Sequence, residues 1–185
     1  MEMFDVTTMD GAFDEVSAAS AGGAPFLICF GATLAVAGLS WFVLPVEVAA
    51  LVVMFQGGVA LPAAFWLERR MGRARMSAAN PLKALSVQLA LSQMVAFPLV
   101  IVVYSLRPGG VPLAMAAIAG AHFLPYAWLQ RTSIYAVLAV SVSAGAFVLQ
   151  VALGALAFPA ILFFLTACYW TAAPLLVRHA RRLAA

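Results

Sequence analysis

Charged residues and cysteine are the scarcest components of this chain. Of its 185 residues only 9% are charged, two are cysteine and two are histidine, whereas 65% are hydrophobic and the mean hydropathy is +1.05. A chain this apolar cannot bury all of its hydrophobic side chains in one water-soluble core. The composition therefore predicts an integral membrane protein surrounded by lipid.

Acidic residues are nearly absent after residue 15, and this excludes most metal-dependent chemistry. Only Glu47 and Glu68 remain there, and the two histidines, His122 and His179, stand at no metal-ligand spacing. A cation-dependent intramembrane transferase needs several carboxylates, and a zinc protease needs a His-Glu-x-x-His helix. The sequence predicts no metal and no cofactor. An enzyme that uses His122 as a base is kept as a third alternative for the function.

Six apolar stretches are each long enough to cross a bilayer as a helix, which takes about 20 residues. They are Ala24–Leu44, Val46–Leu67, Pro81–Leu106, Val111–Leu129, Ser133–Leu153 and Leu156–Val177. The connections between them leave room only for short loops. We therefore predict an all-α fold, a polytopic membrane bundle of six transmembrane helices arranged as three antiparallel hairpins over residues 24–178.

The basic residues cluster at one end of the predicted bundle. They are Arg69, Arg70, Arg73, Arg75, Lys83, Arg131, Arg178, Arg181 and Arg182. Only Arg107 falls at the other end. Because cytoplasmic loops are enriched in Lys and Arg, both termini are predicted to be cytoplasmic. The net charge of +3 then reflects topology, and no nucleic-acid partner is expected because no soluble module presents these residues.

The two ends of the chain carry opposite charges. Residues 1–23 are acidic and begin unlike a secretory signal, which would open with basic residues. Apolar residues recur in them at helical spacing, so they form either a cytoplasmic tail or a short surface helix. Residues 179–185 are predicted to be a basic cytoplasmic tail.

Three of the predicted spans contain a proline near their cytoplasmic end. These are Pro62, Pro125 and Pro174. A proline leaves the carbonyl four residues earlier without its helical partner, so bends are expected near Pro62 and Pro125. One interpretation is that the bends shape the bundle, and the other is that the freed carbonyls line a cavity open to the cytoplasm.

A sparse set of polar side chains at mid-membrane depth supplies a candidate substrate-binding site. Spacings of four residues place Gln88 over Ser92, and His122 over Tyr126, on shared helix faces. We expect His122 to lie within hydrogen-bonding reach, directly or through one water, of Gln88, Ser92 or Gln93 in the third span. It would either titrate during transport or hold the helices together as a neutral ring. The candidate residues are Gln56, Gln88, Ser92, Gln93, His122 and Tyr126.

One part of the sequence resembles a known family. The residues concerned are Asn80-Pro81-Leu82, Gln93, the string Gly120-Ala121-His122-Phe123-Leu124-Pro125-Tyr126-Ala127-Trp128-Leu129, and Tyr135. They look like a family of small bacterial six-span membrane proteins, over roughly residues 80–140. The resemblance implies a bacterial cytoplasmic (inner) membrane location and the six-span topology. It implies no mechanism, because that family has no established activity.

Two functions are compatible with these patterns. The first is a transporter of a small molecule or ion, or the membrane-embedded substrate-binding subunit of one. Because the chain is too short for two transporter-sized halves, a homo-oligomer or a partner membrane subunit is then expected. The alternative is a structural or regulatory membrane protein without a substrate, in which the polar groups only join helices. A cavity that reaches His122 favours the first.

Overall fold

The chain is helical along nearly all of the residues that the structure, a computed structural model, describes, which are 4–72 and 76–183. The helices are α1 (Met9–Ala19), α2 (Ala24–Ser40), α3 (Val46–Phe55), α4 (Gly57–Met71), α5 (Lys83–Val95), α6 (Phe97–Leu106), α7 (Val111–Leu129), α8 (Ser133–Leu153) and α9 (Ala157–Leu183). The predicted all-α class is confirmed. Arg73 and Arg75 of the predicted basic loop, and the last two residues of the predicted C-terminal tail, lie outside the described residues.

Five continuous helical segments are long and apolar enough to cross a membrane. They are Ala21–Ser40, Val46–Met71, Lys83–Leu106, Pro108–Leu129 and Ser133–Leu183. The last has 51 residues and contains both α8 and α9, which pack against each other and therefore fold back at the turn Gly154–Leu156. Counting α8 and α9 separately gives six helices of this kind.

The second of these segments is interrupted at a glutamine and not at a proline. Gln56 lies between α3 and α4 and is followed by Gly57 and Gly58. Each glycine costs a helix about 1 kcal/mol relative to alanine, so two in succession weaken it there. By contrast, α4 continues through Pro62 and α7 continues through Pro125. The two prolines expected to bend their helices are therefore not where the helices are interrupted.

The third segment is interrupted at Ala96, between α5 and α6. Pro98 follows in the first turn of α6, and its ring nitrogen cannot donate to the carbonyl of Met94. The backbone at Ala96 stays right-handed, with φ −84° and ψ −9°, and its amide donates to the Gln93 carbonyl three residues earlier at 3.2 Å. One tighter turn therefore joins α5 to α6 within a single helical segment.

The packed centre of the bundle is made by α2, α7, α8 and α9. Its largest fully buried side chains from α9 are Phe158, Ile161, Leu162, Leu165 and Leu176. Glycines allow the helices to approach closely: Gly31 of α2 lies beneath Trp170 of α9, and Gly120 of α7 lies against Ser143 of α8. A Cβ atom at either glycine would overlap its neighbour. Segment α5–α6 lies outside this centre and packs mainly on α7.

Helix α1 lies across one end of the bundle. Thr8 is the N-cap residue of α1, and its hydroxyl oxygen accepts a hydrogen bond from the amide of Gly11 at 3.1 Å, as threonines at N-cap positions commonly do. The amide and hydroxyl of Thr7 donate to the Asp5 carboxylate and hold the pKa of that carboxyl below its usual range. One face of α1, including Phe13 and Val16, is buried against the rest of the chain.

Candidate functional site

Helices α5 and α7 bring three of the six predicted site residues together. Ser92 Oγ of α5 lies 3.4 Å from His122 Nδ1 of α7, and the rings of His122 and Tyr126 are 4.9 Å apart. The four-residue spacing in α7 stacks the two rings on one face, and this face packs towards α5. His122 and Tyr126 are half-buried, whereas Ser92 is exposed.

The hydrogen bonds of Ser92 indicate which nitrogen of His122 carries a proton. The Ser92 hydroxyl donates to the carbonyl of Leu89 at 2.7 Å, so its oxygen is left to accept. A neutral imidazole that donates from Nδ1 has an unprotonated Nε2. In that tautomer, Nε2 of His122 can accept a hydrogen bond.

The two other polar residues predicted on α5 make no hydrogen bond to His122. Gln88 is exposed and Gln93 is half-buried, and neither amide is bonded to another described residue. Of the three partners considered for His122, only Ser92 lies within reach. The amide of Gln88 therefore lies on the surface of an apolar helix without a partner among the residues that the structure describes.

Gln56 lies apart from this group. It is buried, with 8% of its surface exposed, and its side-chain oxygen accepts a hydrogen bond from the Thr33 hydroxyl of α2. The Thr33 hydroxyl also lies near the carbonyls of Cys29 and Phe30. Gln56 thus joins α2 to the break between α3 and α4, and the structure gives it no contact with the polar residues of α5 or α7.

Glu68 is a polar residue that the sequence did not single out for the site. It lies near the end of α4 and is half-buried. The only signal for it in the sequence was its rarity, because it is one of two carboxylates after residue 15. This carboxylate is therefore partly withdrawn from solvent beside the exposed Arg69 and Arg70.

Three other polar side chains of the apolar helices bond to the backbone of a neighbouring element. Thr166 Oγ1 contacts the Gly31 carbonyl at 3.1 Å, and the indole of Trp170 donates to the Ile28 carbonyl at 3.2 Å. The hydroxyl of Tyr135 donates to the Gly22 carbonyl at 2.7 Å. Such bonds fix helix positions and leave no group free for a ligand.

A second polar group holds α1 against the loops at its end of the bundle. Asn80 is buried, and its amide nitrogen donates to Glu15 Oε2 at 2.7 Å and to the Ala12 carbonyl at 3.0 Å. Arg131 pairs with Asp10 at 2.9 Å on the surface. Asn80 and Arg131 lie in or beside the motifs that carry the family resemblance. Docking of α1 accounts for both.

Neither of two cavities in the described part of the chain reaches His122. The larger is an apolar groove of about 350 Å³ lined by Ile28, Trp170, Ala173, Pro174 and Val177. The smaller, of about 60 Å³, lies between the ends of α1, α4 and α9. Among the described residues, no three His, Cys, Asp or Glu side chains lie close enough to hold a metal ion.

The fold and these contacts define an all-α protein whose five or six long helices are apolar enough to span a membrane. The chain belongs to a family of unknown function (DUF7010), whose model matches residues 10–179. An uncharacterised family was expected from the resemblance over residues 80–140. The match extends it to helix α1 and to nearly the whole of α9. No curated protein and no solved structure matches the chain.

Proposed function

We propose that this chain is an integral protein of a bacterial cytoplasmic membrane, with six spans and both ends in the cytoplasm. Contacts at one end of the bundle support an even number of crossings. There α1 meets Asn80 before α5 and Arg131 after α7, and His179 near the end of α9 lies 3.0 Å from the Gln130 carbonyl. The N-terminal segment, two alternate connections and the last helix therefore share one end, the end that carries the basic residues.

Within this protein, the polar face between α5 and α7 is the proposed binding site for a small polar molecule or ion. The supporting observation is that the rest of the chain only partly covers four polar residues of apolar helices. They are Gln88, Ser92, His122 and Tyr126. Polar groups at this depth need a partner, and the chain supplies only some of the bonds that these four can make. A ligand with both donors and acceptors fits them. The protein would then be a transporter, or the substrate-binding subunit of one.

Thermal unfolding of the purified protein in detergent tests the site even while the ligand is unidentified. The probes are panels of amino acids, sugars, small carboxylates and monovalent cations. At least one class of probe is expected to raise the midpoint of thermal unfolding, because a ligand that binds only the folded state stabilises that state. Ser92→Ala should remove the shift. Ser105→Ala should keep it, since Ser105 also donates within its own helix but lies in α6.

The role of His122 is tested by His122→Gln in the same assay. Glutamine can donate and accept, so the fold should survive, and any dependence of ligand binding on pH should disappear. His179→Gln is the control, because it removes the other histidine of the chain. If no probe class stabilises the protein, or if stabilisation is unchanged in Ser92→Ala and His122→Gln, the proposed site is wrong.

A structural or regulatory protein without a substrate is the second candidate. It is favoured by the bonds that Thr33, Tyr135, Thr166 and Trp170 make to other elements, and by the absence of His122 from the lining of the two cavities described above. On this alternative, Ser92→Ala and His122→Gln change stability slightly and nothing else. The ligand screen separates the two candidates.

A further inference from the structure

Segment α5–α6, Lys83–Leu106, is much less covered by the rest of the chain than the other long helices. In its most apolar window only 6% of the residues are buried, against 28–44% in the other segments. Within α5 no residue is buried, and within α6 only Val100 is. The segment therefore presents most of its circumference outwards.

Two exposed stripes on this segment have the spacing of a helix–helix interface, and only one of them contains a side-chain amide. The members of that stripe are Gln88, Ser92, Val95, Leu99, Val102 and Leu106, all exposed and separated alternately by four and three residues. This is the repeat that keeps one face of a helix against a partner helix in a left-handed pair, the common crossing geometry in membranes. The stripe runs from α5 into α6 through the tighter turn at Ala96. We call this set the α5–α6 seam.

The polar end of the seam distinguishes a protein partner from lipid. Acyl chains can cover Val95, Leu99, Val102 and Leu106, but they offer nothing to the amide of Gln88. A glutamine amide carries both a donor and an acceptor, so two such amides can pair with each other. Two copies of one membrane protein cross the bilayer in the same direction. A twofold axis along the membrane normal then places each seam residue opposite itself.

We infer that a second copy of this chain packs in parallel along the α5–α6 seam, with the Gln88 side chains of the two copies hydrogen-bonded to each other. The inference rests on the proposed membrane crossing of α5–α6 and does not require a transported solute. Because Ser92 is part of the seam and touches His122, the second copy also lies beside the candidate site. The site is then closed on its exposed side only in the dimer.

Cysteine cross-linking in native membranes tests the seam directly. The background variant is Cys29→Ser with Cys168→Ser, which removes both native thiols. Val95→Cys and Leu99→Cys should each form a disulfide-linked dimer on oxidation, because residues facing themselves across a parallel pair come within the Cα separation that a disulfide allows. The matched controls are Met94→Cys and Ile101→Cys, which are 70% and 47% exposed but lie on another face of the same segment.

The expected result is at least about tenfold more dimer from the seam positions than from the controls, at low expression. Adding Gln88→Leu to Val95→Cys should reduce cross-linking severalfold, and Gln88→Asn should restore part of it. Equal cross-linking on both faces, or none at the seam, overturns the inference. Alkaline extraction of the membranes distinguishes failure of the proposed membrane crossing from failure of the inferred dimer. A chain that is released does not span the membrane, whereas a chain that is retained but does not cross-link refutes the dimer alone.

Discussion

A single tyrosine hydroxyl fixes the junction between α1 and α2. Tyr135 of α8 is buried and donates to the carbonyl of Gly22, in the turn Ala21–Gly23 that joins the two helices. Gly22 and Gly23 have φ angles of +66° and +79°, a region that residues with a Cβ atom seldom adopt. Leu176 of α9 lies against the same turn. The turn is thus held from two helices at once.

Gly23→Ala is predicted to destabilise the protein strongly. The new Cβ would be strained at the positive φ and would meet the Tyr135 hydroxyl, breaking its bond to Gly22. The left-handed conformation alone costs about 1 kcal/mol, and the lost bond adds about 1 kcal/mol. Gly109→Ala is the control, since no atom lies within 4 Å of the position that its new methyl group would take and its φ is not positive. Equal midpoints of thermal unfolding for the two variants would contradict this account.

Gln56→Leu is predicted to cost only about 1 kcal/mol although the side chain is buried. Removing a buried partner usually leaves a polar group unsatisfied, at about 1–3 kcal/mol. Here the Thr33 hydroxyl can turn to the carbonyls of Cys29 at 3.2 Å or Phe30 at 3.1 Å. Thr33→Val should therefore cost about as much as Gln56→Leu, and the double variant little more. Chemical unfolding in detergent measures all three, and a fully additive double variant would show that the two residues do not interact.

The site residues differ in how far the sequence could foresee their contacts. Ser92 and His122 were expected near each other because each lies in an apolar helix that must hide its polar atoms, and the structure places them in contact. The partner of Gln56 could not be foreseen, because which helix it meets depends on how α2 packs beside α4. Spacing along one helix predicts shared faces, and it does not predict the facing helix.

At the scale of elements, α1 is the part of the fold that charge and spacing described least well. Two alternatives were left for residues 1–23, and the described part of that segment contains helix α1 with a buried face. Its apolar residues alone gave no reason to choose an attachment point. Asn80 and Trp128 provide the attachment point of α1. Asn80 donates a hydrogen bond to Glu15, and Trp128 packs edge-on against Phe13 with ring centres 4.8 Å apart.

Asn80→Ala is predicted to release α1, whereas Arg131→Gln is not. The Asn80 amide makes two bonds to α1 and accepts a third from the amide of Leu82, all of them buried. Its loss leaves the buried Glu15 carboxylate without that donor, at about 1–3 kcal/mol. The pair of Arg131 with Asp10 is exposed, with 48% and 81% of the side-chain surfaces accessible, and contributes at most about 1 kcal/mol.

Limited proteolysis in α1 measures this difference. Cleavage beside Glu15 should accelerate about tenfold or more in Asn80→Ala, because cleavage follows the population of the undocked helix. Arg131→Gln should change the rate at most slightly, and its effect should fade as salt is raised. Similar acceleration in both variants would mean that the surface ion pair, and not the buried amide, holds α1.

The helix breaks were also beyond the sequence, and their physical reason is local. Bends were expected near Pro62 and Pro125 and stay a prediction, while both helices continue through these prolines. A proline in a long apolar helix loses one bond but keeps its neighbours in place through packing. At Gln56, two glycines follow in succession and neither has a side chain to pack. Chain entropy, more than the missing donor, decides where this segment breaks.

At the scale of the whole molecule, the docking of α1 and the distribution of arginines distinguish the same end of the bundle from the other. The acidic helix binds the end of the bundle that carries Arg69, Arg70, Arg131 and Arg181, while Arg107 lies at the other end. An acidic segment on a basic face neutralises charge locally. On the proposed topology, the basic residues can still orient the chain during insertion, because acidic residues contribute little to that choice.

The topology predicts which introduced cysteines an impermeant thiol reagent reaches in intact cells. Cysteines at Arg131 and Arg181 should be protected until the cells are opened, because both positions lie at the end proposed to be cytoplasmic. Cysteines at Leu44 and Pro108 should react at once, since the connections α2–α3 and α6–α7 lie at the opposite end of the bundle. Both native cysteines are first replaced by serine, and each variant is labelled again after permeabilisation to show that its thiol is reactive. An arrangement with five or seven crossings would place position 181 on the same side as Pro108. Labelling of the cysteine at position 181 from outside would therefore reject the six-span arrangement, although the helices themselves could still be correct.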